Sequence, residues 1–278
     1  MSTRATPDDN SGTTAIAGSV HYAATGNAPL FYHAGPVPSG EPETNIEFIE
    51  HTVAIRDTRG SGREPRLDVE GAALMRHASG VRDFYDEDEL QRTGYAEVAD
   101  ILQTVSGARE VAVFDHNVRR GADAAHPKHA SARKPVFHVH TDFTAGSAPI
   151  RARTVLRPEL LAGRRLVEFN LWRPITGPVL DTALAICDAS SVTPSDLLPA
   201  RLLYPEREGE IYYVSFNAAH RWWYVSEMRR DEVWVFKNYD SAADGRARFT
   251  PHTAFQTQSS AAPTRESVEF RAFAVFDD

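Results

Sequence analysis

Short segments that alternate apolar and polar residues recur along most of the chain. REVAVFDHNVRR, LVEFNLWRPIT, GEIYYVSFN and DEVWVFKNYDS are rich in β-branched and aromatic residues, and turn residues separate them. A period of two is typical of β-strands that bury one face. NIEFIEHTVAIRD, residues 45–57, has the same character nearer the N-terminus. The pattern predicts a mainly β fold, built as a barrel or jelly roll.

Helical spacing of apolar residues replaces this alternation in a few places. VEGAALMRHAS (69–79) and DEDELQRTGYAEVADILQTVSG (86–107) predict two helices before the main strands, and Gly107 is placed to end the second. ARTVLRPELLAGRR, residues 152–165, predicts a short helix between strands. We therefore expect helices that flank the β fold.

Length and composition favour one large domain. The chain has 278 residues, of which 42% are hydrophobic, and β barrels of this size are often undivided. Residues 1–15 are rich in Ser, Thr, Asp and Gly and predict a flexible tail, which leaves residues 16–278 as a single domain.

The net charge and the lack of targeting signals limit the classes of partner and the location that we expect. The net charge of −8 provides no basic surface of the kind that attracts nucleic acid or anionic lipid. No apolar run approaches the roughly 20 residues of a spanning helix, and the N-terminus does not resemble a signal peptide. The single cysteine, Cys187, is compatible with a reducing compartment. We expect a cytoplasmic protein with a small-molecule partner.

The segment HVHTD carries the first candidate metal ligands. On a strand, His138, His140 and Asp142 leave the same face, so two of them can share a metal. A His-x-Asp pair with a distant histidine forms the facial triad of non-haem iron(II) oxygenases. His252 in RFTPHTAF is the preferred third ligand because an Arg-x-Ser pair lies shortly after it in the chain.

This Arg-x-Ser pair stands at the start of a predicted strand. Arg265 and Ser267 share a strand face, where a guanidinium can bind a carboxylate with two hydrogen bonds and a hydroxyl can add a third. Such an anchor suits the far carboxylate of 2-oxoglutarate, whose 2-oxo acid end chelates iron.

Several alternatives remain open from these residues. His138 with His140 would suit a cupin-like metal enzyme that does not use 2-oxoglutarate, although no glutamate follows at the expected spacing. Otherwise His138 lies beside the metal site, where it packs, forms a hydrogen bond or contacts the substrate. His220 is the rival third ligand, or it lines a substrate cavity with Trp222 or Tyr224. A non-catalytic small-molecule-binding barrel would keep the pocket without turnover.

Other polar residues lie in predicted strands. Asn170 and Arg173 in FNLWRP are candidates for co-substrate or substrate contacts, and an internal salt bridge of Arg173, for example with Asp188, is the structural alternative. The segment FDHNVRR, which includes Arg119 and Arg120, forms either a pocket entrance or a hydrogen-bonded strand end.

From Asn45 to Phe276 the chain resembles a family of fungal and actinobacterial secondary metabolism. The family is the hydroxylase/desaturase family, which includes gibberellin-desaturase-like proteins and the hydroxylase component of cephamycin 7α-methoxylation. The resemblance is carried by GYAEVADILQTVSGAREVAVFDHNVRR, HVHTDFT, EFNLWRPITGPVLDTALAICDAS, NAAHRWWYVSEMRRDEVWVFKNYDS, RFTPHTAFQ and RESVEFR.

The resemblance implies a double-stranded β-helix that uses iron(II), 2-oxoglutarate and oxygen. It places the metal ligands at His140, Asp142 and His252. It also implies hydroxylation or desaturation of a small molecule with release of succinate and carbon dioxide. Halogenases of this broad type commonly lack the carboxylate ligand, so Asp142 favours hydroxylation or desaturation. The sequence leaves the substrate, the regiochemistry and the oligomeric state open.

Overall fold

The computed structural model describes residues 15–26, 29–59, 61–62, 64–121, 132–257 and 264–277. Two β-sheets form its framework, and most neighbouring strands in both are antiparallel. The predicted tail falls almost wholly within residues 1–14, which lie outside the described residues.

The larger sheet has nine strands. In spatial order they are β1 (Ala15–Ala23), β3 (Phe48–Asp57), β11 (Trp222–Tyr224), β8 (Thr182–Cys187), β13 (His252–Gln256), β6 (His140–Thr141), β10 (Glu208–Val214), β9 (Leu197–Leu203) and β2 (Leu30–His33). The smaller sheet has five, in the order β4 (Ala72–Arg76), β12 (Glu232–Asp240), β7 (Arg165–Pro174), β14 (Glu266–Phe276) and β5 (Glu110–Arg120).

The two sheets face each other across a core of large side chains. Phe255 and Trp222 of the nine-stranded sheet belong to the same buried cluster as Trp172, Trp234 and Phe236 of the five-stranded sheet. Two opposed antiparallel sheets with a shared core confirm the predicted double-stranded β-helix, or jelly roll.

Helices flank the sheets as the sequence predicted. A short α1 (Glu87–Glu89) and a π-helical turn, Leu90–Gly94, lead into α2 (Tyr95–Ser106), and α3 (Ser147–Val155) and α4 (Pro158–Leu161) follow β6. Gly107 ends α2 with a φ of 73°, a left-handed conformation that glycine adopts without strain.

Helix α2 covers the outer face of the five-stranded sheet. Its apolar stripe includes Ile101 and Leu102, which are buried in one cluster with Leu171 of β7 and Phe270 of β14. Helix α2 therefore covers the outside of this sheet, whereas Ala148 and Ala152 of α3 pack in one cluster with Phe273 on the other face of β14.

The helix predicted for residues 69–79 is wrong. Gly71 has a φ of 86°, and Ala72–Arg76 form strand β4, which pairs with Glu232–Phe236 of β12. Pairing with the free edge of β12 supplies hydrogen bonds that outweigh a weak local helix preference. Leu74 packs on one face of β4 and Met75 on the other, so neighbouring positions are both apolar. This interrupts the period-two alternation that would have indicated a strand.

Candidate iron and co-substrate site

The candidate metal ligands all come from the nine-stranded sheet. His140 begins β6, Asp142 follows directly after that strand, and His252 begins the neighbouring strand β13. His140 and His252 are paired residues in the β6–β13 ladder. One atom from each of the three side chains lies within 4.8 Å of the other two, which is close enough for all three to hold one metal ion. Sheet pairing thus brings together residues from distant parts of the chain.

Both histidines direct Nε2 toward this cluster, because Nδ1 of each ring faces a backbone carbonyl. Nδ1 of His140 lies 2.7 Å from the backbone oxygen of His138, and Nδ1 of His252 lies 3.3 Å from that of Thr250. A carbonyl partner requires the N–H on Nδ1, which leaves Nε2 with its lone pair. Nε2 of His140 is 3.6 Å from Oδ1 of Asp142, so the free donor atoms converge.

Burial keeps both imidazoles neutral, which is the form that binds metal. It lowers the pKa of His140 to about 4, and His252 adds to that decrease. Burial also lowers the pKa of His252. Neutral nitrogen ligands are therefore present throughout the physiological pH range.

The five-stranded sheet holds the other oxygen of Asp142. Oδ2 accepts hydrogen bonds of 2.7 Å from Nδ2 of Asn170 and from Nε of Arg271. The backbone N–H of Asp142 donates to Oδ1 of Asn238 at 3.0 Å. Although burial alone would raise the pKa of Asp142, Arg271 and the two histidines lower it below its usual value. The carboxylate is thus ionised, with Oδ1 directed toward the histidines.

A cavity adjoins the cluster. It has an empty volume of about 300 Å³, which includes the space at its open side. His140, His252 and Arg265 all line it, together with the apolar side chains of Trp172 and Leu184.

Arg265 is almost fully buried and has unused hydrogen-bonding capacity. Its Nη1 donates to the backbone oxygen of Thr182 at 3.3 Å, whereas its Nε has no partner among the described residues. Its guanidinium carbon lies 5.5 Å from the ring centre of Trp172. Ser267 is fully buried, and its hydroxyl also has no partner within the described part of the chain. Unpaired buried donors on one strand face indicate a ligand that supplies acceptors.

The donor sets fit iron(II) and 2-oxoglutarate. Two neutral imidazoles and one carboxylate on one side of a metal are the facial triad of non-haem iron(II) oxygenases. A buried guanidinium beside a hydroxyl suits a carboxylate.

Two further predicted residues lie elsewhere than expected. Asn170 contacts the metal-ligand candidate Asp142 rather than the Arg265 end of the cavity. Arg173 lies on the opposite face of β7, where its Nη2 donates to the backbone oxygens of His77 and Arg230 at 3.0 and 2.6 Å. A co-substrate role for Arg173 does not fit this position, because side chains alternate between the two faces of a strand. Asp188 pairs with Arg221 instead.

The remaining candidates are held by packing. The His138 ring stacks on the Phe48 ring with 3.7 Å between the ring centres. The Trp222 indole donates to the Tyr22 hydroxyl at 3.0 Å inside the core. Tyr224 packs edge-on against Phe255 at 5.5 Å.

His220, the rival third ligand, is also part of the packing around Tyr22. Its Nδ1 lies 3.0 Å from the Tyr22 hydroxyl, and its Nε2 lies 3.3 Å from Oδ2 of Asp196. Neither ring nitrogen is left for a metal.

Sequence reasoning missed Arg271 and Asn238. A signal for Arg271 was present, since Ser267, Glu269 and Arg271 alternate along β14 and continue the spacing of Arg265 just before it. No comparable signal marked Asn238, because β12 is irregular between Lys237 and Tyr239.

Comparisons with known proteins agree with this geometry. Residues 20–276 match the family described as oxidoreductase/YMDC permease-like domain. The hydroxylase/desaturase efuI of Hormonema carpetanum is 32% identical over 260 residues, which cover 84% of this chain and 87% of that protein. The chain belongs to the hydroxylase/desaturase family.

Relatives of this family include named iron(II)/2-oxoglutarate enzymes. The Fe(II)/2-oxoglutarate-dependent dioxygenase nvfI of Aspergillus novofumigatus is 29% identical over 253 residues, covering 87% of this chain and 89% of that protein. A solved structure of the iron and alpha-ketoglutarate-dependent endoperoxidase NvfI superimposes with a TM-score of 0.85 at 27% identity, over 95% of this chain and 98% of that one.

This hydroxylase/desaturase family member is therefore an iron(II)/2-oxoglutarate-dependent dioxygenase. The predicted enzyme class, cofactors and small-molecule chemistry are confirmed, and the cupin-like and non-catalytic alternatives are set aside. Within the described residues, no helix combines the length and the apolar character needed to span a bilayer.

Proposed function

We propose that this dioxygenase hydroxylates or desaturates a small molecule of secondary metabolism and releases succinate and carbon dioxide. In this proposal His140, Asp142 and His252 hold iron(II), and Arg265 with Ser267 binds the far carboxylate of 2-oxoglutarate. The observation that carries it is the pairing of two sites in one cavity. Two of the three converging candidate ligands, His140 and His252, line the same cavity as Arg265, whose buried Nε is unpaired among the described residues.

When bound, iron(II) with 2-oxoglutarate and oxygen supplies the oxidising power. The protein supplies position and surroundings. The carbonyls of His138 and Thr250 fix the histidine rings, so that each Nε2 keeps its direction. Arg271 and Asn170 occupy Oδ2 of Asp142, which restricts the carboxylate to binding through Oδ1.

Arg265 gives the cavity its preference for a dicarboxylate. Burial and the neighbouring Arg119 lower the pKa of Arg265 to about 10, which still leaves it charged at neutral pH. A buried cation without a carboxylate partner gains most from an anionic ligand. The apolar walls of Trp172 and Leu184 limit water around that contact.

The proposed ligand set indicates the class of reaction at the substrate carbon. Asp142 as a carboxylate ligand favours hydroxylation or desaturation over halogenation. Relatives carry the names hydroxylase/desaturase and endoperoxidase, so oxidative ring formation is the second candidate outcome.

Partners and location remain part of the proposal. The net charge of −8 supports a small-molecule substrate over nucleic acid. A cytoplasmic location and the absence of a membrane partner stay predictions from the sequence, as does the organisation of residues 16–278 as one domain.

Anaerobic titration tests the proposed site. Iron(II) is added to the metal-free protein, followed by 2-oxoglutarate, and the charge-transfer absorption band of the chelated 2-oxo acid is recorded. We expect one equivalent of each to saturate the band, and His252→Ala to abolish it. Succinate formation under oxygen is measured in parallel with a substrate screen. A saturating band that persists in His252→Ala would refute the assignment of the ligands.

A further inference from the structure

A second guanidinium lies in the cavity that contains Arg265. Arg119 lines this cavity from β5, the strand beside β14. In the antiparallel ladder Arg119 is directly opposite Ser267. Opposed residues of such a pair share one face, with Cβ atoms about 5 Å apart. Arg119 therefore reaches the cavity from the side of the Ser267 hydroxyl.

Arg119 is held on one side only. Its Nη1 donates to the backbone oxygen of Lys134 at 2.8 Å. Among the described residues, no carboxylate forms an ion pair within 4.0 Å with either Arg119 or Arg265. Glu269, the acid that lines the same cavity, accepts a hydrogen bond of 2.7 Å from Nη2 of Arg271.

The two positively charged guanidinium groups repel each other. Burial lowers the pKa of Arg119, while Glu269 partly offsets that effect. Arg119 in turn lowers the pKa of Arg265. Arg265 is buried and Arg119 is half-buried, so two neighbouring cations with no paired carboxylate are costly, and an anion between them reduces that cost.

We propose that Arg119 is a second carboxylate-binding residue of this cavity and shares the far carboxylate of the dicarboxylic co-substrate with Arg265. This inference rests on the proposed function and deepens it. The position opposite Ser267 directs Arg119 to the same carboxylate as Arg265. Arg119 then acts as a specificity residue that favours dicarboxylic over monocarboxylic 2-oxo acids.

The test compares two 2-oxo acids that differ at the far end. 2-Oxoglutarate carries a carboxylate there, and 2-oxopentanoate carries a methyl group. Dissociation constants are measured anaerobically from the charge-transfer band of the iron(II)-loaded protein. In Arg119→Gln we expect 2-oxoglutarate to bind roughly 10- to 100-fold more weakly, as for the loss of hydrogen bonds to a charged group. The constant for 2-oxopentanoate should change less than about threefold.

Arg120→Gln is the matched control. Arg120 is the next residue on β5, and its Nε pairs with Oε1 of Glu266 at 2.9 Å. It should leave both dissociation constants unchanged. Arg119→Lys keeps the charge but not the planar fork, so it should give an intermediate loss for 2-oxoglutarate. It also provides the comparison if Arg119→Gln fails to fold, which iron content and the thermal midpoint reveal.

Two outcomes overturn the inference. Equal loss of both acids in Arg119→Gln places its effect at the 2-oxo acid end or on the fold, and no loss of either acid removes Arg119 from binding. If the unsubstituted protein gives no band with 2-oxoglutarate, the proposed function itself fails, which is a different result from either of these.

Discussion

His252 and His220 are both buried histidines near strand ends, but their ring nitrogens are used differently. At His252, Nδ1 faces a backbone carbonyl, and the other nitrogen belongs to a group of converging ligand atoms. At His220, the Tyr22 hydroxyl and the Asp196 carboxylate occupy both nitrogens. Both environments are polar, and burial lowers the pKa of both rings.

The difference distinguishes a structural histidine from a proposed metal ligand. A buried polar group is stable when its hydrogen bonds are complete, as at His220. A ligand residue keeps one strong acceptor free and has its orientation fixed by the other. The Nε of Arg173 and that of Arg265 are both unpaired within the described residues, so these two arginines differ by position instead. Arg265 lines the cavity beside His140 and His252, whereas Arg173 lies on the other face of the sheet and bonds two carbonyls.

The largest expected effect separates the two histidines. His252→Ala should lose stoichiometric iron and, with it, all 2-oxoglutarate-dependent succinate formation. His220→Ala should retain iron but unfold more easily, by about 1–3 kcal/mol, because Tyr22 and Asp196 lose a buried partner. Metal analysis and thermal unfolding measure both. Iron lost from His220→Ala and kept in His252→Ala would reverse the comparison.

The next effect concerns the two arginines. Arg265→Ala should raise the dissociation constant for 2-oxoglutarate by at least about 30-fold with iron retained, because truncating a buried charged partner typically costs 2–5 kcal/mol. Arg173→Ala is the control, since it removes a buried guanidinium from the other face of β7. It should lower stability and leave co-substrate binding unchanged. Equal weakening by both would mean that Arg265 acts through the fold.

A smaller effect is expected from the residue that orients Asp142. Arg271→Gln should weaken iron(II) binding by roughly 10- to 100-fold, as for other partners of metal ligands. Arg59→Gln is the control, because it breaks a partly buried ion pair with Glu232 away from the site. Iron affinity is measured by competition with a chelator. Unchanged iron affinity in Arg271→Gln would show that iron binding does not require the hydrogen bond from Arg271 to Oδ2 of Asp142.

The smallest effect concerns a buried acid that is not a ligand. Burial and the nearby Asp142 raise the pKa of Glu168 well above its usual value. Above about pH 4.3 the unfolded chain has released this proton while the folded chain keeps it, so stability falls as pH rises, by at most about 1.4 kcal/mol per pH unit. Glu168→Gln should flatten the decline in unfolding free energy between pH 5 and 8.

Glu208→Gln is the control for that measurement. Glu208 is exposed and pairs with Arg201 on the surface, so its replacement should leave the pH profile close to that of the unsubstituted protein. An identical slope in Glu168→Gln and the unsubstituted protein would mean that Glu168 is ionised in the folded state.

Local patterns in the sequence predicted most of the strands and helices of this protein. Period-two alternation predicted the strands, and the 86–107 segment predicted helical structure that ends at Gly107. The HVHTD and RFTPHTAF segments supplied three residues that the structure brings within 4.8 Å. These features depend on residues close together in the chain, where alternation and capping act directly.

Only the tertiary structure decided which polar atoms remain free. Residues 69–79 became a strand because the edge of β12 was available to pair with them. Both ring nitrogens of His220 have partners in Tyr22 and Asp196, which lie 198 and 24 positions away in the chain. Arg271 and Asn170 reach Asp142 because the two sheets face each other. A residue's type and strand position predict where its side chain points. Whether its polar atoms find hydrogen-bonding partners depends on segments that only folding brings near.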